Sequence, residues 1–237
     1  MSDKVSPIEA LPPASRAYGE IGAVSADPRW VMVVDQERCI GCWSCCVICK
    51  SENDVPDGMW WNRINTVGDG LDTPYEEQGR LAMHWLPLAC QHCENPACTR
   101  VCPVSATYSR EDGLVMQDSQ RCIGCRYCLV ACPYGVRQFN WGRPERPVPF
   151  DTGMVAPRPL GTMEKCTMCV HRITDGQVPS CVWSCPGQAR IFGDLNDPDS
   201  KVSRLIRDRG GYQLLEERGT DPHVYYLPPR RKRGLEP

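Results

Sequence analysis

The sequence predicts an α+β fold in which short strands and helices hang on cysteine-rich loops, and three observations predict it. Seventeen cysteines occur among 237 residues, mostly with two or three residues between neighbours, a usage far above the ordinary. The apolar runs have strand length, and none approaches the ~20 residues of a membrane-spanning helix. Lys50 to Ala89 and Tyr134 to Lys165 are rich in Gly, Pro and Trp, the composition of irregular chain. A disulfide framework wants an even count and wider, irregular spacing; close bunching gathers sulfurs around a metal or cluster. The net charge of −2 excludes the basic excess of a nucleic-acid binder.

Along the chain, Met1 to Pro28 carries Pro7, Pro12, Pro13 and Pro28 and reads as an extended arm. It shows no twin arginine, apolar h-region or cleavage site, so export, if needed, is expected from a partner. Trp30-Val31-Met32-Val33-Val34 is a short buried strand leading into a first cysteine motif, Cys39, Cys42, Cys45 and Cys49, with gaps of two, two and three. Lys50 to Ala89 reads as an insertion packed against a partner. The second motif is Cys90, Cys93, Cys98 and Cys102 (gaps two, four, three), followed by Pro103. Thr107 to Gln117 holds Asp112-Gly113 between apolar arms, a hairpin signal.

The third motif, Cys122, Cys125, Cys128 and Cys132, repeats two, two, three before Pro133. Arg137 to Trp141 is expected to be a strand. The fourth motif, Cys166, Cys169, Cys181 and Cys185, stretches its middle gap to eleven and precedes Pro186. Ala189 to Gly193 reads as a further strand. Ser200 can cap a helix carrying Val202, Leu205 and Ile206, ended by Gly210-Gly211. Arg230-Arg231-Lys232-Arg233 reads as a solvated tail.

The motif spacing has a geometric reason. A cubane needs four thiolates at tetrahedral corners. Three close cysteines on a loop with a tight Ile40-Gly41 or Ile123-Gly124 turn wrap three of them. The fourth cysteine, three residues on at the start of a short helix, reaches a second cluster, as in the bacterial two-cluster run. The proline that follows has fixed φ and no N–H, so it ends the turn without an orphaned donor. Zinc is the chemical rival, because Cys₄ sites also use paired C-x₂-C elements. The fourth motif alone fits either metal centre; beside three ferredoxin-type motifs it favours an iron–sulfur cluster. Four [4Fe–4S] clusters and sixteen ligands follow, which leaves Cys46 as a spare ligand or a small buried hydrophobe.

Other residues have a plain reading and a functional one. Trp43 and Trp183, inside the first and fourth motifs, fit water exclusion and tuning by burial better than electron relay. Lys50 and Arg100 could raise a cluster potential, or be solvated or partner-facing charges. His84, His92, His171 and His223 are not needed as ligands beside sixteen thiolates. Nucleotide and hydrolase motifs such as G-x-G-x-x-G, the P-loop and G-x-S-x-G are missing, so no catalytic residue is expected.

The four motifs in order, with Asp194-Leu195-Asn196-Asp197-Pro198 and Ser200-Lys201-Val202-Ser203, resemble the four-cluster iron–sulfur (beta) subunits of the dimethyl sulfoxide reductase family of molybdopterin oxidoreductases. These include dimethyl sulfoxide, polysulfide, thiosulfate, tetrathionate and respiratory arsenate reductases. The resemblance covers roughly residues 29 to 209. It implies two interleaved bacterial-ferredoxin-like domains with long irregular insertions. The outer domain would comprise 29–89 and 160–209 with an insertion at 50–89; the inner would comprise 90–141. An arm at 1–28, an insertion at 142–159 and a C-terminal tail at 210–237 complete the chain.

Carried over, the ligand sets are Cys39, Cys42, Cys45 and Cys185 for one cluster, and Cys49, Cys166, Cys169 and Cys181 for the next. The inner pair would be Cys90, Cys93, Cys98 and Cys132, then Cys102, Cys122, Cys125 and Cys128. Some relatives replace a third-motif ligand and hold three irons; Cys125 favours four here. Relatives of the formate dehydrogenase and nitrate reductase type tend to be longer, and some add a C-terminal membrane helix. The resemblance implies a non-catalytic electron-transfer subunit between a molybdenum or tungsten bis-pterin catalytic subunit and a quinone-linked membrane anchor or other carrier. It would be membrane-associated through partners, at the periplasmic face by co-export with a twin-arginine subunit, or cytoplasmic. The alternative is the same module in a hydrogenase or formate dehydrogenase complex.

Overall fold

A computed structural model of the chain describes residues 19–67, 75–77, 80–142, 155 and 159–229. In chain order its first elements are β1 (Trp30–Asp35), α1 (Ser44–Glu52), β2 (Arg63–Val67), β3 (Tyr75–Glu77), β4 (Arg80–Ala82) and β5 (His84–Leu88). Next come α2 (Ala97–Arg100), β6 (Thr107–Ser109), β7 (Val115–Gln117), α3 (Tyr127–Val130), β8 (Gln138–Phe139) and β9 (Met163–Glu164). The last are α4 (Val170–Thr174), α5 (Ser180–Trp183), β10 (Arg190–Asp194), α6 (Lys201–Arg209) and β11 (Val224–Leu227). Mixed short helices and strands make this an α+β fold.

β1 is the centre of a three-stranded sheet of order β10-β1-β11. It runs antiparallel to β10, from Trp30↔Asp194 to Val34↔Arg190, and parallel to β11, from Met32↔Val224 to Asp35↔Leu227. All six β1 residues are buried. Trp30, Met32 and Val34 pack with Phe192, Val224 and Tyr226 toward the cysteine-bearing elements. Val31 and Val33 pack with Ile191, Leu227 and Val202 of α6 on the other face. A strand covered on both sides reads as an unbroken apolar run, and each such side chain contributes roughly 1.5–3 kcal/mol on burial.

Several expected elements are present. The 107–117 hairpin pairs Thr107↔Gln117 through Ser109↔Val115, with Gly113 at φ 82 in its turn. The Ser203 amide donates to Ser200 Oγ at 3.2 Å to cap α6, and Gly210 ends that helix at φ 62. The strand expected at Arg137 to Trp141 is only β8, paired with β9 through Gln138↔Glu164 and Phe139↔Met163.

The structure adds detail to three stretches that the sequence left as tail, insertion and arm. The segment assigned to a C-terminal tail supplies β11, whose Tyr226 is fully buried and donates its hydroxyl to the Pro87 carbonyl at 2.9 Å. The described part of the 50–89 insertion packs on this chain: β2 and β5 pair antiparallel, and Val55, Met59 and Trp61 are buried around Cys49. The arm's described end is also held. Ser25 and Arg29 donate backbone amides at 2.9 Å to the carboxylate of Asp194, the last residue of β10. The Arg230 to Arg233 run lies outside the described residues. Among the described residues no helix is long and apolar enough to cross a membrane.

Candidate functional site

Two loops of the same design carry the first and third motifs. Gly41 and Gly124 take φ of 67 and 69, and Trp43 and Arg126 take φ of 63 just before α1 and α3. The glycines are required twice over. A Cβ on Gly41 would sit 2.5 Å from the Trp85 ring, and one on Gly124 would sit 2.2 Å from the Gly161 carbonyl oxygen. The turn then feeds a helix, which buries Cys45 and Cys49 in α1 and Cys128 in α3.

The cysteines converge in sets drawn from distant motifs. Cys39, Cys42, Cys45 and Cys185 line one cavity of about 330 Å³, together with Ile64, Pro186 and Arg190. Cys49, Cys166, Cys169 and Cys181 line a second of about 460 Å³, together with Cys90, Met32, Asn62 and Arg190. Cys90, Cys93, Cys98 and Cys132 line a third of about 360 Å³, beside Val115 and Arg137. Cys102 follows α2, which packs on α3; Cys128 lies in α3, and Cys122 and Cys125 are on the loop entering it. Among the described residues no three His, Cys, Asp or Glu side chains are gathered tightly enough for a single metal ion. Thiols spread more widely than a single ion allows fit a cubane better than tetrahedral zinc.

The electrostatics agree with that donor chemistry. Burial pushes the thiols of Cys49, Cys169 and Cys181 up and that of Cys166 to about 12; for Cys49 the charges of Cys166, Cys169 and Cys181 add to it. Burial likewise lifts Cys93 to about 12. Four thiolates in an apolar hole need a positive centre, so a metal group that takes them releases protons as it binds. Backbone amides already point at the sulfurs. Ala106 and Ala189 donate to Cys102 and Cys185 at 3.2 Å, and Met168 and Met163 donate to Cys166 and Cys122 at 3.3 and 3.4 Å. Such bonds hold thiolate ligands and tune the bound group.

Cys46 is buried at 1 % exposure with its sulfur 3.9 Å from that of Cys45. Its thiol bond lowers Cys45 to about 5 and pushes Cys46 itself up. Trp43 and Trp183 remain about half exposed, so they shield less than the sequence suggested. Lys50 donates to the Pro56 and Met59 carbonyls at 2.6 and 3.2 Å and sits over Trp60, which closes its loop. Arg100 is exposed. His92 is fully buried and accepts from the Val115 amide at 3.1 Å; His171 meets Glu52 at 2.8 Å, and His223 meets Glu94 at 3.1 Å. Sequence reasoning passed over Arg190, Arg137 and Lys165, all buried beside the cysteines. The available signal was position: Arg137 and Arg190 each follow a Cys-Pro by the same interval, in Cys132-Pro133-Tyr134-Gly135-Val136-Arg137 and Cys185-Pro186-Gly187-Gln188-Ala189-Arg190.

Such a fold and donor set define an iron–sulfur protein, and a family model described as a 4Fe-4S dicluster domain matches residues 81–146 and 147–195. Among known proteins, the chain is 56% identical over 203 residues to a Halobacterium salinarum protein that carries the name of a dimethyl sulfoxide reductase iron–sulfur subunit, covering 83% of this chain and 78% of that one. It is 38% identical over 232 residues to the iron–sulfur subunit of the arsenate respiratory reductase of a Shewanella species, covering 84% and 96%. It is 39% identical over 230 residues to the iron–sulfur cluster-binding subunit of menaquinone reductase from Nitratidesulfovibrio vulgaris, covering 84% and 88%. The chain belongs to the iron–sulfur (beta) subunits of the dimethyl sulfoxide reductase family, and is an electron-transfer subunit of an oxidoreductase complex.

Proposed function

We propose that this chain is a wire of four [4Fe–4S] clusters, built from two interleaved ferredoxin-like domains, that serves a molybdenum or tungsten bis-pterin catalytic subunit. Its ligand sets are Cys39, Cys42, Cys45 and Cys185; Cys49, Cys166, Cys169 and Cys181; Cys90, Cys93, Cys98 and Cys132; and Cys102, Cys122, Cys125 and Cys128. The observation that carries the reading is the company of Cys49: it lines one cavity with Cys166, Cys169 and Cys181, while its own motif partners line another with Cys185. Bound cubanes supply reversible one-electron chemistry; the chain holds their sulfurs, dries the inner sites and orients amides at the thiolates.

The order of the sites supports a wire. Arg190 lines the first and second cavities, Cys90 borders the second and third, and the charge of Arg137 acts on Cys98 and Cys128 of the third and fourth. The two terminal sites each keep one exposed cysteine, Cys42 and Cys125. Exposed Ile40 and Val47 flank one end, and Ile123, Tyr127 and Val130 the other. Such rims suit two partners: the catalytic subunit, and a quinone-linked membrane anchor; the name of the menaquinone reductase relative supports the quinone link. Association with the membrane then comes through the anchor, at the periplasmic face. Anaerobically purified protein is expected to hold about sixteen irons and about sixteen acid-labile sulfides, and to co-purify with a pterin-containing chain. Zinc near four per chain with negligible iron would sink the reading.

A further inference from the structure

Three side chains stand out because they are cationic, buried and paired with no carboxylate of the described residues. Arg190, Lys165 and Arg137 are 4%, 1% and 3% exposed. Their hydrogen-bond partners are neutral groups or sulfur. Arg190 donates to Asn62 Oδ1 at 2.8 Å, Met32 Sδ at 3.3 Å and Cys181 Sγ at 3.9 Å. Arg137 donates to Gln117 Oε1 at 2.9 Å and Thr107 Oγ1 at 3.3 Å. Its Nε and Nη2 are buried with no hydrogen-bond partner among the described protein atoms. Lys165 Nζ donates to the Cys166 carbonyl at 2.9 Å and to the Val115 carbonyl. Burying a lone cation this deeply costs several kcal/mol unless an anion answers it.

Their placement supplies the anion. Arg190 is on the wall of both the first and second cavities. Lys165 bridges a lining residue of the second, Cys166, and one of the third, Val115. Arg137 lines the third cavity and donates to Thr107, next to Ala106, whose amide holds Cys102 of the fourth set. Every junction in the row thus holds one buried cation. A cubane with four thiolates is a net anion, and each electron it accepts adds negative charge in a medium of low dielectric.

We propose that Arg190, Lys165 and Arg137 are the potential-setting residues of the wire, one at each junction, each making the two clusters beside it easier to reduce. This rests on the cluster reading above. The cations act through space on the clusters they separate and need no direct bond to iron.

The test is a redox titration followed by electron paramagnetic resonance on the full chain purified with its clusters, after iron and sulfide have been counted. Signals are first assigned with Cys42→Ser and Cys125→Ser. Arg190→Gln is expected to move the midpoints of the first and second clusters to more negative potential and leave the other two. Lys165→Met is expected to move the second and third, and Arg137→Gln the third and fourth. Arg190→Lys and Arg137→Lys keep the charge but lose the planar fork, and are expected to move the midpoints much less than Gln does. Unchanged midpoints in the neutral variants, or Lys shifts as large as Gln shifts, overturn the proposal. If one neutral variant loses iron, the other two decide; iron loss in all three also overturns it, since the cations would then serve assembly. Absence of iron from the unmodified chain would instead defeat the cluster reading itself.

Discussion

The proposed outer and inner halves of the molecule use the same cysteine loop but close it by different means. Gly41 and Trp43 in one and Gly124 and Arg126 in the other take matching left-handed turns, and an amide reaches Cys185 in one and Cys102 in the other at the same 3.2 Å. The inner half is closed by the β6–β7 hairpin, by the packing of α2 on α3, by β9 on β8, and by Thr220 and His223 against Tyr134 and Gln91. The outer half is closed by β10 and β11 on β1 and by buried Val55, Met59 and Trp61. A short motif can therefore specify a sulfur array, while the surrounding chain decides how dry and how rigid it is.

The largest expected effect separates motif from site. Cys49→Ser should remove about four irons and abolish the signal that Cys169→Ser abolishes, leaving the signal that depends on Cys42. Cys185→Ser should do the reverse. If Cys49→Ser and Cys42→Ser erase the same resonance, each motif is self-contained and the interleaved outer half is wrong.

The glycine turns sharpen the contrast in rigidity. Gly124→Ala drives a methyl into a backbone carbonyl at a left-handed φ and should cost roughly 2–5 kcal/mol. Gly41→Ala meets the ring of half-buried Trp85, which has room to tilt, and should cost roughly 1–3 kcal/mol. Chemical denaturation of the two variants side by side checks the ranking; equal losses would mean that Trp85 is as fixed as the Gly161 backbone.

The smallest effect concerns the cysteine with no inner counterpart. Cys46 occupies the place held by Leu129 in the third motif. Cys46→Ala should keep every iron and cost about 1–2 kcal/mol for its volume and its thiol bond. Loss of a cluster's worth of iron would make Cys46 a ligand.

The iron–sulfur family was legible because cluster chemistry writes itself in spacing, and β1 because a doubly covered strand has no polar interruptions. β11 was not legible. Val224 to Leu227 is a four-residue run that pairs in parallel with a strand at the far end of the chain, so no turn residue announces it. The cations were missed for a different reason. Lys50 and Arg100 drew attention by standing beside cysteines in sequence, whereas Arg190 hides between Ala189 and Ile191 in a strand whose burial only the fold reveals. Adjacency along the chain is a weak guide to distance from a cluster when ligand sets are drawn from separate motifs.

The sheet order β10-β1-β11 also bears on how the protein is made. β1 emerges early from the ribosome but has neither neighbour until almost the whole chain has been synthesised. Pairings of such long sequence separation form slowly, and an apolar strand waiting for them is exposed to aggregation. The proposed inner sites wait as well, since the Met163 amide donates to Cys122, and Thr220 lines the third cavity and meets the Tyr134 hydroxyl at 2.6 Å. Iron delivery should accordingly wait for the C-terminal part of the chain, and a chain stalled before β11 would present its cysteines on an open, unsupported body.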